Sequence, residues 1–260
     1  MAAPGLQGIK GLLIDINGVL YVANKPLMGA NQAITALKRS GLPYRFATNN
    51  TTRSVQTLSH DLTAMGLSVE PQDIISAPYA AVIYLRQLGQ PTIYPLLSAD
   101  AQQDFAEFTQ SETAADVVVL GDMGYEWDYR VLNRAFRLVM QGAQLLALHK
   151  GKFWQWEAGL QLDIGAFVAG LEYATDQTAR VVGKPSPFFF ELALTELGLP
   201  PGQVAMIGDD IEADVAGAQQ SGMKGVLVKT GKYRPTLVAT TGITPDLLLE
   251  DVGAIAQWFQ

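Results

Sequence analysis

The stretch LLIDINGVLY, residues 12–21, places a carboxylate directly after a short apolar run. Leu12–Ile14 is typical of a buried strand, Asp15 follows it, and the chain then turns at Asn17 and Gly18. Asn-Gly is a common turn pair, so the pattern alone fits either a reactive carboxylate or the polar end of a strand. The choice depends on what stands at the ends of the other strands.

The same order of a short apolar run, a polar or glycine turn and a helical stretch recurs along the chain. The apolar runs predict strands at Leu12–Ile14, Tyr44–Ala47, Ile93–Leu97, Val117–Leu120, Leu145–Leu148, Val181-Val182, Val204–Ile207 and Gly225–Val228. Helical spacing is found at Ala30–Arg39, Ser54–Met65, Gln102–Phe108, Tyr129–Met140, Phe167–Tyr173 and Phe188–Leu197. Strands that alternate with helices in this way indicate parallel βαβ units and an α/β fold.

A long middle section has its own strand–helix pattern and three of the four tryptophans, Trp127, Trp154 and Trp156. It separates the polar groups at the first strand ends from those at the last. We therefore predict an inserted second domain at residues 80–179, with residues 1–79 and 180–260 forming the core domain.

Composition excludes several classes of protein. The 260 residues have a net charge of −7, which offers no broad attraction to nucleic acid or to an anionic membrane. The chain has no cysteine, so disulfides, thiolate zinc sites and cysteine nucleophiles are excluded. No apolar run approaches the roughly 18–20 residues that cross a bilayer. Asp15 interrupts the apolar stretch near the N-terminus, so we expect no signal peptide and a cytoplasmic protein.

Reactive groups stand at several predicted strand ends: Asp15, Thr48, Lys184, and Asp209 with Asp210. Ligands of parallel α/β sheets bind where the carboxyl ends of the strands meet. Carboxylates gathered there repel one another unless a hard cation such as Mg²⁺ neutralises them. Lys184 and Thr48 offer a positive charge and a hydroxyl that suit phosphate oxygens. Asp15 would then be free to attack phosphorus and form an aspartyl phosphate.

Four segments resemble, in order, the four motifs of the haloacid dehalogenase superfamily. They are Asp15–Val19, Thr48-Asn49, Lys184, and Gly208–Asp210 followed by Asp214. The insert between the second and third motifs is similar to the C2-type cap of the class IIA phosphatases of this superfamily. The resemblance implies a doubly wound, Rossmann-like parallel-sheet core with an inserted α/β C2-type cap domain.

The resemblance also implies a Mg²⁺ site. Asp15 would be both nucleophile and Mg²⁺ ligand, and the residue two positions on, here Asn17, would give the metal its backbone carbonyl. Asp209 would be the second carboxylate ligand. Asp210 and Asp214 would hold the waters of the metal or orient its ligands.

Phosphate binding is implied for the remaining motif residues. Thr48, with Asn49 beside it, would bind the transferred phosphoryl group. Lys184 would neutralise the nucleophile and the phosphate. The expected activity is hydrolysis of a small phosphorylated metabolite, and a homodimer is compatible with the resemblance.

Asn17 departs from the pattern of the superfamily, whose phosphatases typically have a second aspartate at this position. That aspartate protonates the leaving group and later activates water. An amide is neither an acid nor a base near neutral pH, and the loss of such catalysis costs roughly 10²–10⁴ in rate. We therefore expect slow turnover and a preference for good leaving groups, such as aryl phosphates, pyrophosphate or phosphoramidates.

Asn17 also leaves two other functions open. One is a phosphate-binding or regulatory protein with little turnover. The other is a slow phosphotransferase whose aspartyl phosphate persists because water is poorly activated. Structural explanations exist for single residues too, since Thr48 and Asn49 suit a helix cap and Lys184-Pro185 suits a surface loop.

Two further segments and one histidine are weaker candidates. Asp122 lies in a Gly-Asp pair that imitates the metal motif, but we expect it in a loop of the insert. The segment His149–Trp154 mixes cationic and aromatic groups, which fits either a surface that selects the leaving group or a solvated hairpin. His60 is expected to be an exposed or a core residue.

Overall fold

The computed structural model describes residues 6–156 and 159–259. The first five residues and the last residue of the predicted core, and residues 157–158 of the predicted insert, lie outside this part. The strands are β1 (Gly11–Asp15), β2 (Tyr21–Val22), β3 (Lys25–Pro26), β4 (Tyr44–Thr48), β5 (Ile74–Ser76), β6 (Ile93–Leu96), β7 (Val117–Leu120), β8 (Gln144–Ala147), β9 (Phe153–Trp156), β10 (Gly159–Leu162), β11 (Arg180–Val181), β12 (Val204–Gly208), β13 (Lys224–Val228) and β14 (Leu247–Leu249).

The α-helices surround two parallel sheets. They are α1 (Ala30–Ser40), α2 (Val55–Ala64), α3 (Ala77–Gln87), α4 (Tyr129–Met140), α5 (Gly165–Thr175), α6 (Pro187–Leu197), α7 (Gly217–Gln220) and α8 (Pro235–Thr241). A π-helix spans Ile211–Ala216, and short 3₁₀ helices include Ala101–Phe105. Within these described ranges, no helix combines the length and the apolar character needed to cross a membrane.

The larger sheet has six parallel strands in the order β14-β13-β12-β1-β4-β5. From β1 the chain builds the sheet outward through β4 and β5, and it later returns to the other side of β1 through β12, β13 and β14. The strand order therefore reverses between β1 and β12. In open α/β sheets, ligands bind in the crevice at such a reversal.

The second sheet consists of four parallel strands in the order β11-β8-β7-β6. All four strands lie between β5 and β12 in the chain, so this sheet is an insertion into the first. Its edge strand β11 is Arg180–Val181, two residues beyond the predicted insert. The division at residues 80 and 179 stays a prediction.

Strand β1 is buried on both faces, as expected for a central parallel strand. Successive side chains of a strand point to opposite faces, so Leu12 and Ile14 enter one hydrophobic cluster and Leu13 enters another. The cluster that contains Leu13 also includes Val119 and Leu146 of the second sheet. A continuous apolar core thus joins the two sheets and fixes the insert against the larger one.

Several elements differ from the sequence-based prediction. The helix predicted at Gln102–Phe108 is a 3₁₀ helix at Ala101–Phe105. Strand β5 and helix α3 were not predicted, although the local signal exists. Ser76 caps α3 by accepting a hydrogen bond from the Tyr79 backbone N–H at 3.0 Å, and Pro78 lies in its first turn. The apolar residues around Ser76 are too few to indicate a strand by periodicity.

The turn between β2 and β3 generates a prediction about stability. Ala23 and Asn24 both have positive φ, 48° and 59°, as in the two-residue hairpin turns that favour Asn and Gly. Ala23→Asn should raise the free energy of unfolding by about 0.5–1 kcal/mol, because asparagine tolerates this conformation better than alanine. Urea unfolding measures the change.

Ala36→Asn is the matched control, because Ala36 lies within α1, where asparagine is a poor helix former. The same chemical change should therefore stabilise the turn and destabilise the helix. A loss of stability in Ala23→Asn equal to that in Ala36→Asn would contradict the argument.

Candidate active site

The predicted site residues meet at the carboxyl edge of the six-stranded sheet. Asp15 ends β1, Thr48 ends β4, and Asp209 directly follows β12. Lys184 reaches the same edge from the loop that follows β11 of the second sheet. The parallel order of the strands brings together residues that are far apart in the sequence, on both sides of the reversal between β1 and β12.

Lys184 is the cationic centre of this edge. Its ammonium group donates hydrogen bonds to Asp15 Oδ1 at 2.5 Å, Asp214 Oδ1 at 2.7 Å and the Ala47 carbonyl at 3.0 Å. The residue is 3% exposed. Burial acts to lower the pKa of Lys184, but Asp15 and Asp214 outweigh it and raise the pKa above its usual value. The lysine is therefore held charged.

Three buried carboxylates surround one small space: Asp15, Asp209 and Asp214 each offer an oxygen, and these oxygens lie within 4.8 Å of one another. Burial, with Asp15 and Asp214 nearby, raises the pKa of Asp209 well above its ordinary value. Burial also raises the pKa of Asp214 to about 7, although Lys184 opposes the shift. When ionised, the three carboxylates have more charge than the Lys184 ammonium group neutralises, and an added cation would relieve their repulsion.

The π-helix after β12 places Asp214. The backbone N–H groups of Asp214 and Val215 both bond to the Asp210 carbonyl, at 3.0 and 3.3 Å. This wider turn directs the Asp214 side chain back to the strand end, where its Oδ2 accepts a hydrogen bond from the Asp210 N–H at 3.1 Å. A Cβ at Gly208 would collide with the Asp214 carboxylate, so glycine is required there. Isolated π-turns are frequent at functional sites.

Asp209 is enclosed by two glycines with positive φ, Gly18 at 90° and Gly231 at 52°. A Cβ on either glycine would overlap the Asp209 carboxylate. The Lys232 backbone N–H donates to Asp209 Oδ2 at 2.6 Å, and Thr230 Oγ1 donates to the Gly18 carbonyl at 2.5 Å. The loop after β13 therefore locks the turn after Asp15 against Asp209.

Asp210, which the sequence predicts beside the metal, is not part of the cluster of three carboxylates. Its Oδ1 accepts hydrogen bonds from the N–H groups of Glu212 and Ala213, both at 3.0 Å, and its Oδ2 lies 3.3 Å from Lys232 Nζ. Burial acts to raise the pKa of Asp210, but Lys232 and these N–H groups lower it overall. Asp210 thus holds the start of the π-helix and the lysine.

The second motif contributes two differently placed side chains. Thr48 is buried, and its Oγ1 accepts a hydrogen bond from the Asn50 N–H at 3.1 Å. Asn49 binds the backbone of Lys184 twice, donating from Nδ2 to the carbonyl at 2.8 Å and accepting the N–H on Oδ1 at 2.9 Å. The side chain of Asn49 therefore positions Lys184. Phosphate binding by Asn49 stays a prediction.

Asn17 is exposed and lies on the turn that follows β1. It lines a cavity of about 990 Å³ together with Asp15, Thr48, Lys184 and Asp209. Residues of the insert line the same cavity: Asp122, His149, Lys150, Gly151, Lys152, Phe153, Trp154 and Asp163. Loops of the insert and its β9–β10 hairpin thus share one cavity with the carboxyl edge of the larger sheet.

The weaker candidates are resolved by their surroundings. The Asp122 N–H donates to Thr51 Oγ1 at 3.0 Å and its carboxylate accepts from the Gly124 N–H, so Asp122 lies in a loop of the insert as expected. His149 is buried and lines the cavity. The side chain of His60 is 83% exposed.

Sequence reasoning gave no role to Gly231, Lys232 or Asp163. The first two follow β13 in a glycine-containing turn, the same signal that marked the other strand ends. Asp163 follows the β9–β10 hairpin and had no signal in the sequence.

Comparison with known proteins identifies the family. A family model described as haloacid dehalogenase-like hydrolase matches residues 12–110, and one described as HAD-hydrolase-like matches residues 181–255. Haloacid dehalogenase-like hydrolase domain-containing protein 2 of Bos taurus is 40% identical over 230 residues, covering 88% of this chain and 87% of the relative. The chain belongs to the haloacid dehalogenase-like hydrolases.

A second relative of this hydrolase is the phospholysine phosphohistidine inorganic pyrophosphate phosphatase of Bos taurus. It is 40% identical over 246 residues, which cover 91% of this chain and 89% of the relative. The predicted superfamily is confirmed.

Solved structures of haloacid dehalogenase-like hydrolases share the whole fold. The 4-nitrophenylphosphatase from Thermotoga maritima aligns with a TM-score of 0.92 and 25% identity over 99% of this chain and all of the other (100%). The p-nitrophenyl phosphatase from Archaeoglobus fulgidus aligns with a TM-score of 0.89 and 27% identity over 96% and 99% of the two chains. The predicted fold class, a doubly wound parallel α/β core with an inserted α/β C2-type cap, is confirmed.

The contact between Asn49 and Lys184 in this hydrolase predicts a loss of stability. Asn49→Ala should lower the free energy of unfolding by about 2–3 kcal/mol, because two backbone groups of a buried residue lose their partners. Urea unfolding, followed by circular dichroism, measures the difference.

Asn50→Ala is the control. Asn50 Oδ1 accepts hydrogen bonds from the N–H groups of Thr52 and Arg53, and the bond from Arg53 is exposed. Water replaces those bonds, so the expected loss is below about 1 kcal/mol. Equal losses in the two variants would show that Asn49 does not hold Lys184 in the way described.

Proposed function

We propose that this hydrolase is a Mg²⁺-dependent phosphatase of small phosphorylated compounds and that Asp15 is its nucleophile. The observation that supports it best is the buried Lys184 ammonium group between Asp15 and Asp214. A lysine in this place holds Asp15 in one orientation at the cavity and offers positive charge to a phosphate beside it. The names of two relatives, a pyrophosphate phosphatase and a 4-nitrophenylphosphatase, agree with this chemistry.

The carboxylates fit Mg²⁺ by their chemistry. Asp15, Asp209 and Asp214 form a cluster of hard oxygen ligands with more negative charge than Lys184 neutralises. Asp15 and Asp209, with the backbone carbonyl of Asn17, would hold the ion, and Asp214 would orient these ligands while it anchors Lys184. When bound, Mg²⁺ supplies positive charge that stabilises the oxygens of the transferred phosphoryl group.

The reaction divides between the nucleophile and the groups that stabilise charge. An oxygen of Asp15 forms a bond to phosphorus as the bond from phosphorus to the leaving group breaks, which gives an aspartyl phosphate. Lys184, the Thr48 hydroxyl and the Asn49 backbone N–H stabilise the charge that spreads over the phosphoryl oxygens. Water then hydrolyses the aspartyl phosphate and releases inorganic phosphate.

Asn17 limits which substrates react well. Its amide lines the cavity where an acid would protonate the leaving group, and it has no proton to give near neutral pH. Aryl phosphates and pyrophosphate release stabilised anions, which need no such proton. Phosphoramidates are protonated on nitrogen before the P–N bond breaks and release a neutral amine. These three classes are therefore the favoured substrates, and turnover is slow.

The cavity supports a small ligand. Its volume of about 990 Å³ lies within the range of small-molecule sites, and the insert covers it on the side opposite the sheet. We infer a small phosphorylated metabolite as substrate and neither nucleic acid nor membrane as partner. A cytoplasmic location and assembly into a homodimer remain proposals of the same kind.

The first test is release of p-nitrophenol from p-nitrophenyl phosphate, with Mg²⁺ and with the metal removed by a chelator. Activity should require Mg²⁺ and fall to background in Asp15→Asn, because the amide cannot attack phosphorus. Asp176→Asn, at the end of α5, is the control and should keep full activity. Equal rates of p-nitrophenol release in wild type and Asp15→Asn would refute the role of Asp15 as nucleophile. They would favour a phosphate-binding protein instead.

The second test concerns the leaving group. Asn17→Asp should raise kcat for a poor leaving group, such as an alkyl phosphate, by about 10²-fold or more, because it restores an acid and base. The gain for p-nitrophenyl phosphate should be smaller, since p-nitrophenolate leaves without a proton. A gain that is absent for alkyl phosphates would contradict the role assigned to position 17.

Mass spectrometry of the wild-type protein after exposure to substrate distinguishes the remaining alternative. Because Asn17 also slows the second step, a phosphorylated Asp15 that persists would identify a slow phosphotransferase. Prompt loss of the adduct with release of phosphate would identify a hydrolase.

A further inference from the structure

The insert places a buried histidine over the site. His149 follows β8 and is 5% exposed, and it lines the same cavity as Asp15 and Lys184. The carbonyl of the preceding residue, Leu148, accepts a hydrogen bond from the Gly183 N–H at 2.7 Å, which ties this loop to the residue before Lys184. The position of His149 is therefore fixed relative to the carboxyl edge of the sheet.

The ring of His149 is held in one protonation form. Its Nδ1 accepts a hydrogen bond from the Gly151 N–H at 3.0 Å, so the proton of the neutral ring is on Nε2. Burial lowers the pKa of His149, and Lys232 and Lys184 lower it further, against the opposing effect of Asp163. His149 is thus a neutral donor near pH 7. It is unsuited to proton transfer, because Nδ1 already accepts a hydrogen bond.

Asp163 stands beside this donor. Its Oδ1 lies 3.8 Å from His149 Nε2, which is too long for a direct hydrogen bond, and Oδ1 also accepts from the Ile164 N–H at 2.7 Å. Across the residues that the structure describes, Nε2 has no hydrogen-bond partner, and the residue opens onto the cavity. A Cβ at Gly151 would overlap both Asp163 and His149 Nδ1, so glycine permits the pairing.

The gap between the two atoms suits one oxygen. A hydroxyl placed about 2.8 Å from each would accept the His149 Nε2–H and donate its own proton to Asp163. An ammonium group cannot accept the first bond, and an ether cannot donate the second. The arrangement is therefore selective for a group that both donates and accepts.

We propose that His149 and Asp163 form a hydroxyl-binding pair that recognises the leaving-group portion of the substrate. The proposal rests on the proposed phosphatase function and narrows its substrates to phosphate monoesters whose leaving group has a second hydroxyl. Asp15 attacks phosphorus from the sheet, and the leaving group lies on the side of the insert, where the pair stands. Lys232, which follows β13 of the larger sheet, lines the same cavity as the pair.

The test compares substrates that differ only by a hydroxyl. Phenyl phosphate is paired with the 2-, 3- and 4-hydroxyphenyl phosphates, whose leaving groups have similar acidity, and propyl phosphate is paired with glycerol 1-phosphate. Release of inorganic phosphate gives kcat/KM for each. The wild type should prefer the hydroxyl-bearing member of at least one pair by about 10–100-fold, the effect of a hydrogen bond to a charged group.

His149→Phe and Asp163→Leu should each abolish that preference, because kcat/KM falls by a larger factor for the hydroxyl-bearing member of the pair than for phenyl phosphate. His149→Gln, whose amide N–H reaches a similar position, should restore part of it. His60→Phe is the control, because His60 is the only other histidine of the chain and its side chain is exposed. It should leave kcat/KM unchanged for both members of each substrate pair.

Two results would contradict the proposal that His149 and Asp163 bind a hydroxyl group of the substrate. One is a wild type with no preference in any substrate pair, and the other is equal losses for both members of a pair in the variants. If the wild type releases no phosphate from any compound, the phosphatase function fails instead. Calorimetric affinities of Asp15→Asn for the same compounds then measure the preference without turnover, and equal affinities within every pair would refute it.

Discussion

The contact of the Lys184 ammonium group with Asp15 and Asp214 is the interaction on which the site depends. A buried charge is tolerated only when it is paired and hydrogen-bonded, and this one has two carboxylates and a backbone carbonyl as partners. Removal of the lysine would leave three mutually repelling carboxylates, all of them largely buried. The surrounding structure therefore fixes the position of the Lys184 side chain.

Three independent devices hold the two ends of this contact. Asn49 binds both backbone groups of Lys184, the π-helix returns Asp214 to the end of β12, and the reversal of strand order places Asp15 beside that end. None of them belongs to the second sheet, yet Lys184 itself follows β11 of that sheet. The position of the insert and the position of Lys184 are consequently coupled, because a shift of the insert would displace Lys184 from Asp15 and Asp214.

The residues of the candidate site could be predicted from the sequence better than the loop contacts that hold them in place. Asp15, Thr48 and Asp209 could be found because a polar residue directly after a short apolar run marks a strand end, and the ends of parallel strands in one sheet meet at one edge. Lys184 follows a strand of the second sheet, so the same rule does not predict that it reaches the edge of the larger sheet. Contacts between loops have no comparable signal. The Asp163–His149 pair depends on how a hairpin folds back over 14 residues, and the enclosure of Asp209 by Gly18 and Gly231 depends on loops more than 200 residues apart.

Asn17 can be understood from the charge of its surroundings. Asp15, Asp209 and Asp214 lie close together, and burial, with the neighbouring carboxylates, raises the pKa values of Asp209 and Asp214. An aspartate at position 17 would add negative charge at the opening of the same cavity and increase that repulsion. The amide avoids this cost. In the proposed phosphatase, no group of the larger sheet would then protonate the leaving group. Its recognition would depend on the insert, where His149 and Asp163 offer a donor and an acceptor away from the cluster of carboxylates.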